Sequence, residues 1–544
     1  MEYYIALDIG TSGLRAQLLD AESGETIATS ITARHPIPGM NVIDHVNFAM
    51  TSGCDVANTL MITAINSLFS SFDADLSKVK KVAVCGNPFQ LSLFQNIEIR
   101  DLAYAGKNML ESLGVVSPPR DGDIVNASDI GIKGMPDAIV MIPPAVTHEI
   151  GADAIAMLLI TDVLESKEPC IVVDYGTNAE MALVIDGNVY TGSAAAGPAL
   201  EGQQIERGML ASPGAVADID IKDNGWECTV LDSSMKDCRG DTMDPLTGSV
   251  VEKGPMHGKA IGITGTGVVA SIYCGIESGM VTQPKICSPD GALHLQDGIN
   301  IFSKDIDEAG KAIGALRAGF LTLLLEAGIW TDDVKLAYMS GASGLYVDAK
   351  KALGIGMVVP GAERIVQFGN TSIELARRLA TGKVSIESLR EFAKRLRATH
   401  CMFATAQAFK DIYSIEYSLW SQGMPASEYN NMMDVYNLPH IPDPVSDPEV
   451  VRVSATDLPD TEGKKITMLE NAGTVLTGEI DGCTMCEACV GECPESAITV
   501  VKEGERTIGR ILSDRCGGTA CRRCERICPE SVLKITPFRN DQSF

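Results

Sequence analysis

The sequence predicts an α/β protein of two similar lobes, followed by a small α+β module rich in cysteine. Three observations carry this expectation. The pattern Tyr3-Tyr-Ile-Ala-Leu-Asp8, Gly10-Thr11-Ser12-Gly13, Leu14 to Asp20 reads as strand, tight turn and return strand. It recurs 166 positions later as Ile171-Val-Val-Asp174-Tyr-Gly176-Thr177-Asn178 and an apolar return strand. Third, eight of the chain's sixteen cysteines fall between Cys483 and Cys528. At 544 residues, 45% of them hydrophobic, the chain can bury several domain-sized cores.

Each hairpin turn offers glycine amides and hydroxyls, a concavity that can hold a phosphate. Asp8 and Asp174 stand at the strand ends, where a carboxylate can hold Mg²⁺, a hard cation that takes oxygen ligands. A duplicated phosphate hairpin implies two lobes with a nucleotide between them. Between the copies, 79–86 reads as a strand, Asn87-Pro88 as a turn and 152–165 as a helix leading into the second lobe.

Downstream, Thr191-Gly-Ser-Ala-Ala-Ala-Gly197-Pro-Ala-Leu-Glu201-Gly202 is a small-residue run that suits backbone approaching a ligand and equally suits a connector. Gly265-Thr266-Gly267 precedes an apolar-periodic helix over 268–278, placing amides at a helix N-terminus where anions are favoured. A further strand from Lys335 runs into the loop Ser340-Gly341-Ala-Ser-Gly344, which could admit a flat adenine ring.

Residues 371–378 and 385–411 read as helices, and the prolines of 424–465 as a linker or loosely packed strap. The tail reads Cys483-Thr-Met-Cys486-Glu-Ala-Cys489-Val-Gly-Glu-Cys493-Pro494, then Cys516-Gly-Gly-Thr-Ala-Cys521-Arg-Arg-Cys524-Glu-Arg-Ile-Cys528-Pro529. Two thiolate runs closed by Cys-Pro are the pattern of a ferredoxin domain with two [4Fe–4S] clusters, in which the fourth cysteine of each run crosses to the other cluster. On that rule Cys483, Cys486, Cys489 and Cys528 hold one cluster, and Cys516, Cys521, Cys524 and Cys493 the other. The second run departs from the first, with four residues rather than two after its opening cysteine. A four-thiolate zinc site in each run is the alternative.

The seven histidines form no metal-like spacing. A formal charge of −27 argues against nucleic acid, which needs a basic face. From Asp481 onward, nine Lys and Arg stand against ten Asp and Glu, so the tail is nearly neutral and the rest of the chain carries the acidity. No basic leader and no run of eighteen apolar residues is present, so the expectation is a cytoplasmic protein with no membrane partner, its remaining cysteines reduced core thiols.

In order, Asp8-Ile-Gly-Thr, Asp174-Tyr-Gly-Thr-Asn, Gly265-Thr-Gly and Ser340-Gly-Ala-Ser-Gly resemble the phosphate-1, phosphate-2, connecting and adenosine motifs of the actin, Hsp70 and sugar-kinase superfamily. Ala194-Ala-Ala-Gly-Pro-Ala-Leu-Glu-Gly, Ile355-Gly-Met-Val-Val-Pro360 and Phe368-Gly-Asn-Thr-Ser372 narrow the likeness to the reductive activators of corrinoid enzymes. The resemblance implies a two-lobed ATPase over 1–165 and 166–385, a helical connector and Pro-rich linker over 386–470, and a ferredoxin-like domain over 471–544. It implies ATP, Mg²⁺ and two [4Fe–4S] clusters as cofactors. It also implies reduction of Co(II) to Co(I) in corrinoid proteins of methylamine methyltransferase systems, fed by a low-potential electron donor. Asp8 and Asp174 would be catalytic. Gly10, Thr11, Ser12, Gly13, Gly176, Thr177, Asn178, Gly265, Thr266, Gly267, Ser340 and Gly341 would bind ATP. Two other readings stay open: a small-molecule kinase with a fused redox module, and an ATP-dependent activator of a radical dehydratase. The sequence sets no oligomeric state.

Overall fold

The computed structural model describes all residues except Met40, 104–106, Thr177, 195–196, Glu201, Gln203, Pro494, Pro537 and 541–544. The chain divides into two compact units. One comprises Met1–Ala156, Ser372–Arg395 and Leu458–Phe544, the other Met157–Thr371 and Leu396–Asp457.

The first unit is built on a seven-stranded sheet in the order Lys465–Leu469, Thr26–Thr32, Leu14–Asp20, Tyr3–Ile9, Val79–Gly86, Ile139–Ile142, Asp123–Asn126. Tyr3–Ile9 pairs antiparallel with Leu14–Asp20 and parallel with Val79–Gly86. Central strands covered on both faces read as continuous apolar runs rather than alternating ones, and Ile5, Leu7, Ile9, Leu14 and Leu18 are accordingly inaccessible.

In the second unit a six-stranded sheet runs Glu449–Arg452, Arg364–Gln367, Leu336–Ser340, Cys170–Tyr175, Ala179–Ile185, Asn188–Ala194. Cys170–Tyr175 and Ala179–Ile185 form the second expected hairpin. The helix Ser303–Ala327 packs on Ala179–Ile185 and Asn188–Ala194 and against the helix Gln407–Trp420. A five-stranded sheet built mainly from Ala215–Lys222, Gly225–Leu231 and Asp237–Met243 completes the unit.

Three expectations differ from the structure. The helix expected over 385–411 ends at Arg397 and resumes at Gln407. Between these points Thr191 N–H donates to Thr399 O at 3.3 Å and Cys401 N–H to Thr191 O at 2.8 Å, so the chain adds to a strand edge instead of coiling. The Pro-rich strap is not loose. Glu449–Arg452 pairs parallel with Arg364–Gln367, and Lys465–Leu469 pairs parallel with Thr26–Thr32, each closing a sheet edge. Finally, the expected boundaries at 385 and 470 divide the chain elsewhere, because Ser372–Arg395 belongs to the first unit. There Arg377 donates to Gln17 Oε1 at 2.8 Å and Arg390 to Asp121 O at 2.8 Å.

The cysteine-rich tail forms a four-stranded sheet, Ile498–Glu503, Arg506–Leu512, Val475–Glu479, Arg539–Asn540, with the short helices Ala488–Glu492, Gly518–Cys521 and Arg523–Ile527. It is fixed within the first unit: Gly39 N–H donates to Cys516 O at 2.9 Å, Arg34 pairs with Glu495 at 2.7 Å, and Ser52 donates to Thr536 O at 3.3 Å. Among the described residues no helix is long and apolar enough to cross a membrane.

Candidate nucleotide site and cysteine centres

Asp8 lies near the end of its strand, 4% exposed, directly across the hairpin from Arg15. Arg15 Nη1 stands 3.3 Å from Asp8 Oδ2. Gly10, Thr11 and Ser12 are half-buried in the turn and Gly13 is buried. Asn87 caps the helix Pro88–Phe94, its Oδ1 accepting from Gln90 N–H, and its Nδ2 reaches Thr11 Oγ1 at 3.3 Å. Leu14 N–H donates to Thr32 Oγ1 at 2.9 Å, which pins the return strand.

The sequence reading passed over Asp153, in the first turn of the helix Ala152–Ile160. It lies within electrostatic reach of Asp8 and Cys85. Burial pushes its carboxyl up to about 6, and the charge of Asp8 pushes the same way. A carboxyl that titrates near neutrality beside the 10–13 turn is suited to accept a proton. Arg15 was likewise passed over, although counting back across the 10–13 turn puts it opposite Asp8.

In the second unit a cavity of about 360 Å³ is lined by Tyr175, Gly176, Gly265, Thr266, Ser343 and Met357, among others. Thr264 caps the helix Gly265–Glu277, its Oγ1 accepting from Gly267 N–H at 3.1 Å. Gly265 and Thr266 thus face the cavity, while the amide of Gly267 is already engaged and a Cβ there would lie 2.5 Å from Val216 O. Gly267 is a packing residue. Ser340 also departs from its expected adenine contact: it is fully buried, its Oγ 3.4 Å from Asp174 Oδ2, and Ser343 lines the cavity instead. Gly341 follows at φ +81°, and a Cβ there would sit 2.5 Å from Asp174 Oδ1, so only glycine lets the loop close on this carboxylate. Asn178 is half-buried at the hairpin turn, its carbonyl accepting from Gly176 N–H at 3.2 Å. Thr177 lies outside the described residues, as do Ala195, Ala196 and Glu201 of the small-residue run. Gly356 of the Ile355-Gly-Met motif, at φ +87°, leaves space for the Arg317 guanidinium, which donates to Ile355 O at 3.2 Å.

The eight tail cysteines form two groups. Cys483, Cys486, Cys489 and Cys528 line one cavity of about 390 Å³. Cys516, Cys521, Cys524 and Cys493 form the other group, with Cys516 feeling the charges of Cys521 and Cys493, and Cys524 those of Cys516 and Cys521. Backbone amides point at the sulfurs in matching fashion: Met485 N–H to Cys483 Sγ at 3.5 Å, Gly518 N–H to Cys516 Sγ at 3.4 Å, Ala497 N–H to Cys493 Sγ at 3.3 Å. An offset of 35 residues superposes the two runs in sequence and in torsion. Glu487 and Arg522 both adopt the left-handed conformation, as do Ser496 and Ser531. On that offset Cys483 maps to Gly518, so the long spacer is a two-residue insertion, Gly517-Gly518, that sets Cys516 back against the loop of Gly39.

Of the histidines, His35 and His45 are buried and stacked at 4.2 Å between ring centroids. His257 meets Asp241 at 2.6 Å near Asp297, but these carboxylates also accept from Gly254 N–H and Ala260 N–H, so they staple the 254–260 loop.

Residues 3–166 match the family description "RACo middle region" and residues 168–430 the description "C-terminal domain of RACo the ASKHA domain". The chain is 47% identical over 520 residues to a [Co(II) methylated amine-specific corrinoid protein] reductase of Methanosarcina barkeri, covering 95% of this chain and 96% of that protein. It is 25% identical over 368 residues to the corrinoid activation enzyme RamQ of Eubacterium limosum, covering 65% of this chain and 60% of that one. A solved reductive activator for corrinoid, iron-sulfur protein superposes with a TM-score of 0.60 at 21% identity, over 76% of this chain and 66% of that chain, a likeness of fold. With identity of this level along nearly its whole length, the chain belongs to the family of reductive activators of corrinoid proteins.

Proposed function

We propose that this protein is an ATP-dependent reductase that returns Co(II) in a partner corrinoid protein to Co(I), drawing on a low-potential electron donor, with methylated-amine-specific corrinoid proteins as its partners. The observation that carries this reading is the 47% identity to the corrinoid protein reductase, over a span too nearly complete to omit either the hairpin lobes or the cysteine-rich tail.

In this reading Asp8 and Asp174 would offer Mg²⁺ its hard oxygen ligands and orient the attacking water, while Thr11, Ser12 and Asn178 would contact phosphate oxygens. The amides at Gly10, Gly13 and Gly265 suit the phosphates, Gly176 shapes its turn through the bond to Asn178, and the cavity beside Thr266 and Ser343 suits the base. Arg15 neutralises Asp8 before nucleotide arrives, and Asp153 accepts the proton of the attacking water. Ser340 and Gly341 act by holding Asp174 in place.

The thiol groups fit iron–sulfur ligation: four sulfurs surround one cavity, the other four feel one another's charge, and amides are directed at the sulfurs. Cys483, Cys486, Cys489 and Cys528 would hold one [4Fe–4S] cluster, and Cys516, Cys521, Cys524 and Cys493 the second. Bound there, such clusters supply one-electron transfer at low potential. The amides of Met485, Gly518 and Ala497 draw negative charge from the thiolates, which eases reduction. With all sixteen cysteines unpaired, we place the protein in the cytoplasm, where thiols stay reduced.

Nucleotide promotes the reduction only through its differential affinity for two states of the partner complex; a shift from 1:99 to 99:1 needs about 10⁴-fold. Anaerobic protein, mixed with a Co(II) corrinoid protein and reductant, is expected to form Co(I), read by its visible spectrum, only when Mg-ATP is present. Co(I) forming equally fast without ATP would overturn the coupling.

A further inference from the structure

The two halves of the cysteine-rich module repeat each other in backbone but not in charge. At the 35-residue offset, Glu487 becomes Arg522, Ala488 becomes Arg523, Gly491 becomes Arg526 and Glu492 becomes Ile527. Glu487 and Arg522 occupy the same left-handed position, φ 59° and φ 45°. Arg522, Arg523 and Arg526 are exposed, and Ile527, 43% exposed, sits among them. The single carboxylate within this run, Glu525, accepts from Ile535 N–H at 2.8 Å and is turned toward the backbone. The first copy offers the opposite surface, with Glu487 and Glu492 exposed and no arginine over 487–492.

We infer that Arg522, Arg523 and Arg526, around the apolar centre Ile527, form the docking surface for an acidic electron-carrying protein that delivers electrons to the Cys516, Cys521, Cys524, Cys493 group. This rests on the reading that these cysteines hold a cluster. Arginines around an apolar contact are the composition of a protein interface, and Cys521 and Cys524 stand within the same six-residue stretch as the arginines. An acidic carrier is repelled by the rest of a chain whose formal charge totals −27, so this face is where it can approach. The acidic first copy excludes the carrier from the other cysteine group. Each encounter oxidises the carrier by one electron and reduces the module by one, with no proton transferred. The corrinoid partner is not assigned to this face, because its complex is the one biased by nucleotide.

The test uses the full-length, iron-loaded protein and a pre-reduced acidic two-cluster ferredoxin as probe, with binding followed by calorimetry and electron transfer by stopped flow. The triple variant R522E/R523E/R526E is expected to bind the ferredoxin at least tenfold more weakly and to lose at least tenfold in second-order rate, a loss that high salt mimics in the wild type. Iron content, and Co(I) formation with excess dithionite and Mg-ATP, should be unchanged. The variant E487K/E492K should bind ferredoxin as well as or better than the wild type. Unchanged ferredoxin binding in the triple variant overturns the inference. Intact ferredoxin transfer with lost Co(I) formation also overturns it, by assigning the face to the corrinoid partner. Were the wild type to accept ferredoxin electrons yet never form Co(I), the proposed function would fail while the docking surface stood.

Discussion

Asp153 carries two opposed consequences of standing, half-buried, beside Asp8. Its carboxyl titrates at about 6 in the folded protein against 3.8 ordinarily, so the folded state disfavours the ionised form. The contribution to stability is therefore intact below pH 3.8, declines as pH rises through the window to about 6, and is fully lost above it. Asp153→Asn keeps an oxygen for Ala154 N–H, now bonded at 2.9 Å, and has no charge to bury. The variant should be more stable than the wild type at pH 7.5, by up to about 3 kcal/mol, and equally stable at pH 3.5, as denaturant melts would read. Its ATP hydrolysis should fall by about 10²-fold or more, and the wild-type rate should rise with an apparent pKa about that of Asp153. None of this was legible in the sequence, where Asp153 looks like an interruption of an apolar helix; only the fold sets it beside a strand end 145 positions earlier. The placement of Asp8 and Asp174 at the ends of hairpin strands was legible because each precedes a Gly-Thr turn that needs no distant partner to be recognised.

The helix Gly265–Glu277 depends on its cap. Thr264 is 5% exposed, and its Oγ1 accepts the amide of Gly267 and meets Thr266 Oγ1 at 2.8 Å. Thr264→Ala should cost about 1–2 kcal/mol in stability and raise the KM for ATP, since Gly265 and Thr266 line the cavity from this first turn. A normal KM with reduced stability would confine the cap to a structural role. Hairpins and helices with their own period were legible at this scale. The strands Glu449–Arg452 and Lys465–Leu469 were not, because each is four or five residues long and its partner strand lies far away in sequence. Prolines around them read as breaks, yet proline is tolerated next to the ends of edge strands. The equivalence of Cys516 and Cys483 was hidden for a related reason: a two-residue insertion shifts the spacing, and only torsions and the amide-to-sulfur bonds restore the match.

At the scale of the molecule, the edge strand Lys465–Leu469 decides where the chain can be cut. Removal of residues 470–544 leaves the first sheet complete, whereas removal of 458–544 strips its edge strand and the Asp460 carboxylate that accepts from Thr26 N–H at 2.8 Å. The shorter deletion should retain ATP binding, and the longer one should aggregate or lose it, as titration and light scattering of the two proteins would read. The alternation of strands and helices made the α/β class readable, and the repeat made two lobes readable. The division of the chain was not, since 372–395 returns to the first unit through long-range bonds of Arg377 and Arg390. Those same long-range bonds have a counterpart at the tail, where Gly39, Arg34 and Ser52 hold the cysteine-rich module at three separate points. A module swinging on a leash would give a delivery step whose rate saturates at an internal first-order limit, independent of how much partner is present. One bolted down at three points is expected to show no limit set by a tether, so that at low partner concentration the rate of reduction should grow in proportion to the concentration of the protein that arrives.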